Sequence, residues 1–489
     1  MAKRKEREMK SHWRLTAFLV GALLLSASVA SAQQPQTPPH QHPGVTEPKP
    51  VPQVVPPQTP PAMPMPPQGA ALTLAALEEM AIANNPTLKQ AEAEIRAAQG
   101  RKVQAGLYPN PTVGYLGEEI RGGASRGGEQ GFFVQQEIVL GGKLGLSRNV
   151  VEHERKQALA EADEQKLRVL NNVRLLFYQA LAAQQLVELR RNLSKLATDA
   201  VETSHQLFNV GQADQPDVLQ AEVEGEQTQL AVTIAEQNQA RIWKSLAATV
   251  GKPDLPLTQL EGNLEDIPAI TDEWLDTILR DSPAVKIAEL SVSRAEVSLT
   301  RARREPIPNL LLRGGLQQNR ELREATGRPV GLQGFAEVGV QIPLFNRNQG
   351  NIAAAQADVE RSRLEVQRIQ LLLRERAAPF FQNYITARTT VERYRGQMIP
   401  RATKAYELYL AKYRQMGAAY PQVLIAQRTL FQLQTDYIGA LENLWTNTLA
   451  LKGFLLTDGL EAPARPGELD RPVREINLPT SAVTPSQER

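Results

Sequence analysis

From Leu74 to Leu107 apolar side chains recur at helical spacing, and Pro109 and Pro111 end that pattern. Two stretches of alternating character follow, residues 112–117 and 132–140, and they read as strands separated by the glycine-rich turn at 122–128. Gly141 and Gly142 close the second strand. From Lys143 a helical pattern runs without proline to about Phe208. At ~1.5 Å per residue such a helix is roughly 100 Å long, more than one globular core covers, so it must pack along neighbours. Leu186, Leu193, Ala200 and Leu207 fall on one heptad position, and Leu175, Ala182, Leu189, Leu196 and Val210 on the other. That spacing predicts a coiled-coil seam, interrupted by Asn172, Gln179 and Thr203. A break at 211–215 is too short for anything but a hairpin, so 216–250 returns antiparallel.

The same order is written twice. Asn85-Pro86-Thr87-Leu88 with Ala91 and Ala98 recurs as Ser282-Pro283-Ala284-Val285 with Ala288 and Ala295. Ile138-Val139-Leu140 recurs as Ile342-Pro343-Leu344, and Pro216-Asp217-Val218-Leu219 as Pro421-Gln422-Val423-Leu424. The second copy predicts a long helix over 351–415, a turn around Gly417 and a return over 421–456, with kinks at Pro379 and Pro400. The predicted fold class is therefore mainly α with a small β part, a duplicated repeat of helix, strand, strand, long helix, turn and helix.

The strands carry the functional argument. Phe132, Val134, Ile138 and Leu140 share one side of the first repeat's second strand. In the second repeat Leu310, Leu312 and Leu316 alternate with Arg313 and Gln317, and Val338, Val340 and Ile342 alternate with Gly339 and Gln341. Strands of about ten residues with one apolar and one polar side suit a membrane barrel with a wet lumen. The competing reading is a soluble sheet with one face on a core. Four strands close no barrel, and open edges do not survive in lipid, so several copies would have to share one transmembrane β-barrel.

Composition narrows the setting. Charge nearly balances at +2, without the clustered basic face that a nucleic-acid partner requires. There is no cysteine, which removes disulfides, thiol chemistry and an acylated N-terminal cysteine. Lys3, Arg4, Lys5, Arg7, Lys10 and Arg14 precede an apolar run over 15–25 and small residues at 26–32, the pattern of a secretory signal cleaved after Ala32. Recurrent proline over 33–69 predicts an extended, disordered spacer, with His40 and His42 in it. The predicted organisation is signal peptide 1–32, spacer 33–70, first repeat 71–251, linker 252–271, second repeat 272–457 and polar tail 458–489.

With its duplicated layout the sequence resembles the TolC family of outer-membrane efflux proteins over residues 72–459. Gly106-Leu107-Tyr108-Pro109-Asn110-Pro111, Gln136-Glu137-Ile138-Val139-Leu140-Gly141-Gly142-Lys143 and the run from Ile342 to Asn351 are similar to the CzcC-type subgroup associated with heavy-metal cation export. The resemblance implies a homotrimer with a twelve-stranded barrel in the outer membrane, the coiled-coil hairpins forming an α-barrel that serves as a helical tunnel through the periplasm. It implies two partners, a periplasmic adaptor and an inner-membrane pump, typically proton-driven. By position Phe208, Val210, Gly211, Tyr413, Gly417 and Tyr420 correspond to the hairpin tips that meet the adaptor. Gly417 lies one residue later than the family's aromatic-x-x-Gly spacing places it. Asp214, Asp217 and Gln422 correspond to the pore entrance, where the family often places acids. Asp214 has a second reading, as cap of the returning helix with Pro216 in its first turn.

Catalytic chemistry is missing. Gly141-Gly142-Lys143-Leu144 fails as a phosphate loop, because Glu137 stands where the upstream glycine belongs and Leu144 where Ser or Thr belongs. His153 and His205 read as isolated on helix faces, with no HExxH pattern or matching cluster. No cofactor and no resident metal are expected, and the chain reads as a passive conduit rather than an enzyme. The rivals are a periplasmic coiled-coil scaffold without a pore and an efflux channel for organic toxicants.

Overall fold

The computed structural model describes residues 71–118, 120, 128–211, 213–270, 273–322, 327–415 and 420–463. The predicted signal, the spacer and most of the polar tail lie outside them, as do most of the glycine-rich turn and Gly417.

The chain begins with β1 (Leu72–Thr73) and α1 (Leu74–Asn84), then α2 (Pro86–Ala105). The sequence pattern predicts one helix there, and the structure divides it at Asn85. The residue before a proline is disfavoured in the α region. Asn85 accordingly adopts φ −63° and ψ 124°, and its side-chain oxygen accepts from the Thr87 backbone N–H at 2.9 Å, so it caps α2 with Pro86 in the first turn. Asn85 is fully buried, and its Nδ2 donates to the Thr249 carbonyl at 2.8 Å.

Next come β2 (Thr112–Glu118), β3 (Glu129–Ile138), the 67-residue α3 (Lys143–Asn209) and α4 (Gln215–Val250). α3 packs along α4. Val173, Ala180, Val187 and Ser194 are buried at heptad spacing, as are Leu175 and Ala182 of the predicted seam, and the Ser194 Oγ donates to Gln229 of α4 at 3.0 Å. Leu196 and Val210, expected in the seam, are exposed. Gly251 ends α4 in the left-handed region at φ 79°, and a Cβ there would lie 2.8 Å from the Asn84 backbone.

The connecting segment is more than a linker. It contains β4 (Leu260–Glu261), which pairs in parallel with β1, and Leu260 and Leu264 enter the core. Then follow α5 (Trp274–Asp281), α6 (Pro283–Arg304), β5 (Leu310–Leu322) and β6 (Pro329–Val340). α5 and α6 divide at Ser282-Pro283 for the same reason as α1 and α2. α7 (Gln349–Arg393) runs unbroken through Pro379. A π-helical turn (Tyr394–Met398) leads into α8 (Ile399–Arg414) and its Pro400. Proline donates no backbone hydrogen bond, and the wider turn sits where the α ladder loses that donor. α9 (Tyr420–Lys452) returns along α7, α8 and α3.

The core lies where these helices cross, around Phe177, Leu181, Leu246, Leu264 and Trp445. Beyond α9 the chain folds back on α3. Gln165 Nε2 donates to the Glu461 carbonyl at 3.0 Å and Arg168 Nη1 to the Thr457 carbonyl at 3.3 Å, so the start of the predicted tail is packed.

Candidate functional site

Two regions hold the candidate residues, the sheet and the hairpin end. β2, β3, β5 and β6 form one antiparallel sheet in that order, with β3 pairing β5 across the two halves of the chain. Directly opposed residues share a face. One face carries Val113, Tyr115, Phe132, Val134, Leu312, Leu316, Leu332, Val338 and Val340. The other carries Gln135, Glu137, Arg313, Gln317, Gln333 and Glu337.

The apolar face is open, although Glu137 and Glu337 on the polar face are exposed as well. Phe132 is 68 % exposed, Val338 69 % and Leu332 70 %, whereas Gln135, Arg313, Gln317 and Gln333 on the polar side are only partly exposed. Polar-face side chains bind one another instead. Gln317 Nε2 and Asn319 Nδ2 donate to the two Glu129 carboxylate oxygens at 2.6 and 2.5 Å, and Arg313 lies 3.6 Å from Glu337. At ~25 cal/mol per Å² a contiguous apolar face of this kind is costly in water.

Among the strand candidates, Phe132, Val134, Leu312, Leu316, Val338 and Val340 are exposed on that face, while Ile138 and Leu310 oppose each other and are only partly exposed. Leu140 and Ile342 are exposed but lie just past the ends of β3 and β6. Val113, Tyr115 and Leu332 belong to the face and escaped sequence reasoning. A glycine beside each, Gly114 or Gly331, hides their alternation, and only the register recovers it.

At the hairpin end, α3 stops at Asn209, Gly211 takes φ 73° and α4 begins at Gln215. Phe208 and Val210 are exposed. Asp214 is the residue capping α4, with Pro216 in the first turn, and its backbone N–H donates to the Asp217 carboxylate at 3.4 Å. Both acids are exposed, as is Gln422 in the first turn of α9. Tyr413 of α8 is half-buried, and Tyr420 begins α9. A groove of about 620 Å³ separates the two hairpins here, lined by Leu196, Ala200, Leu207, Asp217, Leu424 and Ile425. Leu193, Leu196 and Leu207 of the predicted seam therefore face this groove. Arg428 of α9 bridges it to Glu224 of α4, its Nε 3.1 Å from the carboxylate.

The histidines differ in surroundings. His205 of α3 faces Glu222 of α4 at 3.2 Å, so it is not isolated. His153 is held below its ordinary pKa, first by burial and then by Lys156. Near it Glu152 is held down at about 2 by hydrogen bonds from Arg155 and Lys102. Among the described residues no group of three or more His, Cys, Asp or Glu is placed to hold a metal ion, and no helix is long and apolar enough to cross a membrane.

A body of long helical hairpins carrying a four-stranded sheet with its apolar side outward is the fold of TolC-like channels. The solved channel CusC superposes with TM-score 0.64 at 16% identity over 79% of this chain and 92% of its own, and the outer-membrane channel OprN with 0.63 at 18% over 79% and 91%. The chain belongs to the outer membrane efflux protein family, whose model matches residues 77–252 and 274–455. Its place is the outer membrane, with the helical part in the periplasm. It is 26% identical over 373 residues to the cobalt-zinc-cadmium resistance protein CzcC of Cupriavidus metallidurans, covering 76% of this chain and 86% of that protein. It is 28% identical over 314 residues to the nickel-cobalt-cadmium resistance protein NccC of Alcaligenes xylosoxydans xylosoxydans, covering 59% and 66%.

Proposed function

We propose that this protein is the outer-membrane channel of a tripartite efflux system and that it passes heavy-metal cations. The observation that carries the channel reading is the exposed apolar face running across β2, β3, β5 and β6. A water-soluble scaffold would turn that face inward. With β2 and β6 as open edges, closure requires further copies, and three of them give the twelve strands of the family's barrel. Each copy contributes two repeats, 71–251 and 272–457, joined by 252–271. The tips around Phe208, Val210 and Gly211, and around Tyr413 to Tyr420, meet the periplasmic adaptor. The adaptor links the channel to an inner-membrane pump, which supplies the energy. Asp214 and Asp217 add negative charge at the entrance while serving the cap of α4, which favours cations electrostatically.

The relatives named for cobalt, zinc, cadmium and nickel resistance support a metal-cation cargo. Deleting the protein is expected to sensitise its host to cobalt, zinc, cadmium or copper. Unchanged metal tolerance together with lost tolerance of organic toxicants overturns the cargo assignment. Flotation with outer-membrane lipid and stepwise conductance in a planar bilayer are expected of the full chain. Extraction by salt and no conductance would leave the scaffold.

A further inference from the structure

The polar face of the sheet contains an arrangement that none of the features above uses. Gly114, Phe133, Gly315 and Phe335 stand directly opposite one another on β2, β3, β5 and β6, an alternating Gly-Phe-Gly-Phe row. Each ring lies over the glycine beside it. A Cβ on Gly114 would clash with the Phe133 ring, and one on Gly315 would clash with the Phe132 carbonyl and come within 2.8 Å of Phe335 Cε1. The glycines thus provide the space in which the phenyl rings lie flat against the strands.

Arg313 occupies the adjoining row, between Gln135 and Glu337. Its guanidinium carbon is 4.3 Å from the Phe133 ring centre and 5.8 Å from that of Phe335, and Nη1 is 3.6 Å from the Glu337 carboxylate. The buried Nε–H has no hydrogen-bond acceptor, consistent with a guanidinium laid on rings rather than reaching into water. Two aromatic faces and one carboxylate fix this cation in place, unlike a flexible surface arginine.

Charge on this face is lopsided. Among its described paired residues the acids are Glu118, Glu129, Glu137 and Glu337, and Arg313 is the cation. If the apolar face meets lipid, this face is the wall of the water-filled passage. We propose that Arg313, seated on Phe133 and Phe335, sets the ion preference of the barrel lumen. It offsets Glu337 and restrains a wall that would otherwise favour cations more strongly. The ligand class is the small inorganic ion, and divalent cations feel the restraint most because Coulomb energy scales with their charge.

This inference rests on the channel reading, and a bilayer experiment separates the two. The full chain is reconstituted in a planar bilayer under a potassium chloride gradient at low ionic strength, where screening is weakest. One charge facing an ion at about 10 Å in water changes its local concentration by about twofold. Arg313→Gln is expected to raise the potassium-to-chloride permeability ratio by about twofold or more, and Glu337→Gln to lower it by a similar factor. If Arg313→Gln alone fails to insert, Arg313→Gln combined with Glu337→Gln is compared with Glu337→Gln, and the double variant is expected to have the higher ratio by about twofold. Conducting variants with the wild-type reversal potential overturn the assignment of Arg313 and leave the channel intact. A wild-type protein that carries no current overturns the channel reading and the assignment with it.

Discussion

Tyr178 of α3 stacks on Trp445 of α9 with ring centres 3.4 Å apart and planes 12° from parallel, joining the first half of the chain to the second. The indole also donates from Nε1 to the Leu264 carbonyl at 2.8 Å, in the segment between the halves. One side chain thus ties together both hairpins and their connection. Burial pushes the Tyr178 hydroxyl pKa up, as expected for a ring in the core.

Trp445→Ala removes the stack, the hydrogen bond and a buried indole together. Large-to-small changes of this kind cost about 3–5 kcal/mol. Thermal unfolding of the purified protein, followed by helical circular dichroism, is expected to shift well below wild type. Trp445→Phe keeps most of the packing and should recover most of the loss. Equal melting of Trp445→Ala and wild type would remove this contact from the account of stability.

The two faces of the sheet are predicted to answer a charge oppositely. Val338 points with the exposed apolar row and Gln333 with the polar one. An arginine facing lipid costs about 2–4 kcal/mol at the bilayer midplane and about 0–1 kcal/mol toward the interfaces, where Val338 lies near the end of β6, whereas one facing a wet lumen costs little. Val338→Arg should reduce the amount recovered in the outer-membrane fraction, and Gln333→Arg should leave it near wild type. The reverse order would place water on the apolar side.

Much of this fold is legible in the sequence because long helices and alternating strands have different periods. The hairpin turn at Gly211 and the capping role of Asp214 follow from local chemistry, the first from a left-handed backbone and the second from a side chain beside Pro216. The division at Asn85 escaped because apolar periodicity runs across it, while the backbone restriction comes from Pro86 alone. The α3 seam is legible in part: Leu175 and Ala182 are buried, whereas Leu196 and Val210 are exposed, because a hydrophobic period along one helix does not say which neighbour each stretch of it meets. The seat of Arg313 joins three strands, and no pattern within one strand carries their register. Only pairing brings Phe133 and Phe335 to either side of it.

At the hairpin end, Gly211 has φ 73° and open space around its missing side chain. Gly211→Ala therefore meets no clash and carries only the backbone strain of a left-handed alanine, about 1 kcal/mol. Hydrogen exchange of amides in the last turn of α3 should speed about fivefold, with the core amides around Phe177 unchanged. Loss of protection throughout the molecule would mean that the turn holds more than its own hairpin.

Acid should weaken the ion-pair group where α2 meets α3. Glu152 of α3 receives hydrogen bonds from Arg155 and is 2.9 Å from Lys102 of α2, and its pKa falls from 4.5 to about 2. A carboxyl with a depressed folded-state pKa contributes stability that is fully present above the unfolded value of 4.5 and disappears as pH falls toward 2. Because the group is partly solvated, screening reduces the contribution to about 1 kcal/mol. Glu152→Gln should therefore melt below wild type at pH 7, with the gap narrowing between pH 4.5 and 2 as the native carboxylate is protonated. A gap that stays constant over that window would show that Glu152 stabilises the helices by packing rather than by charge.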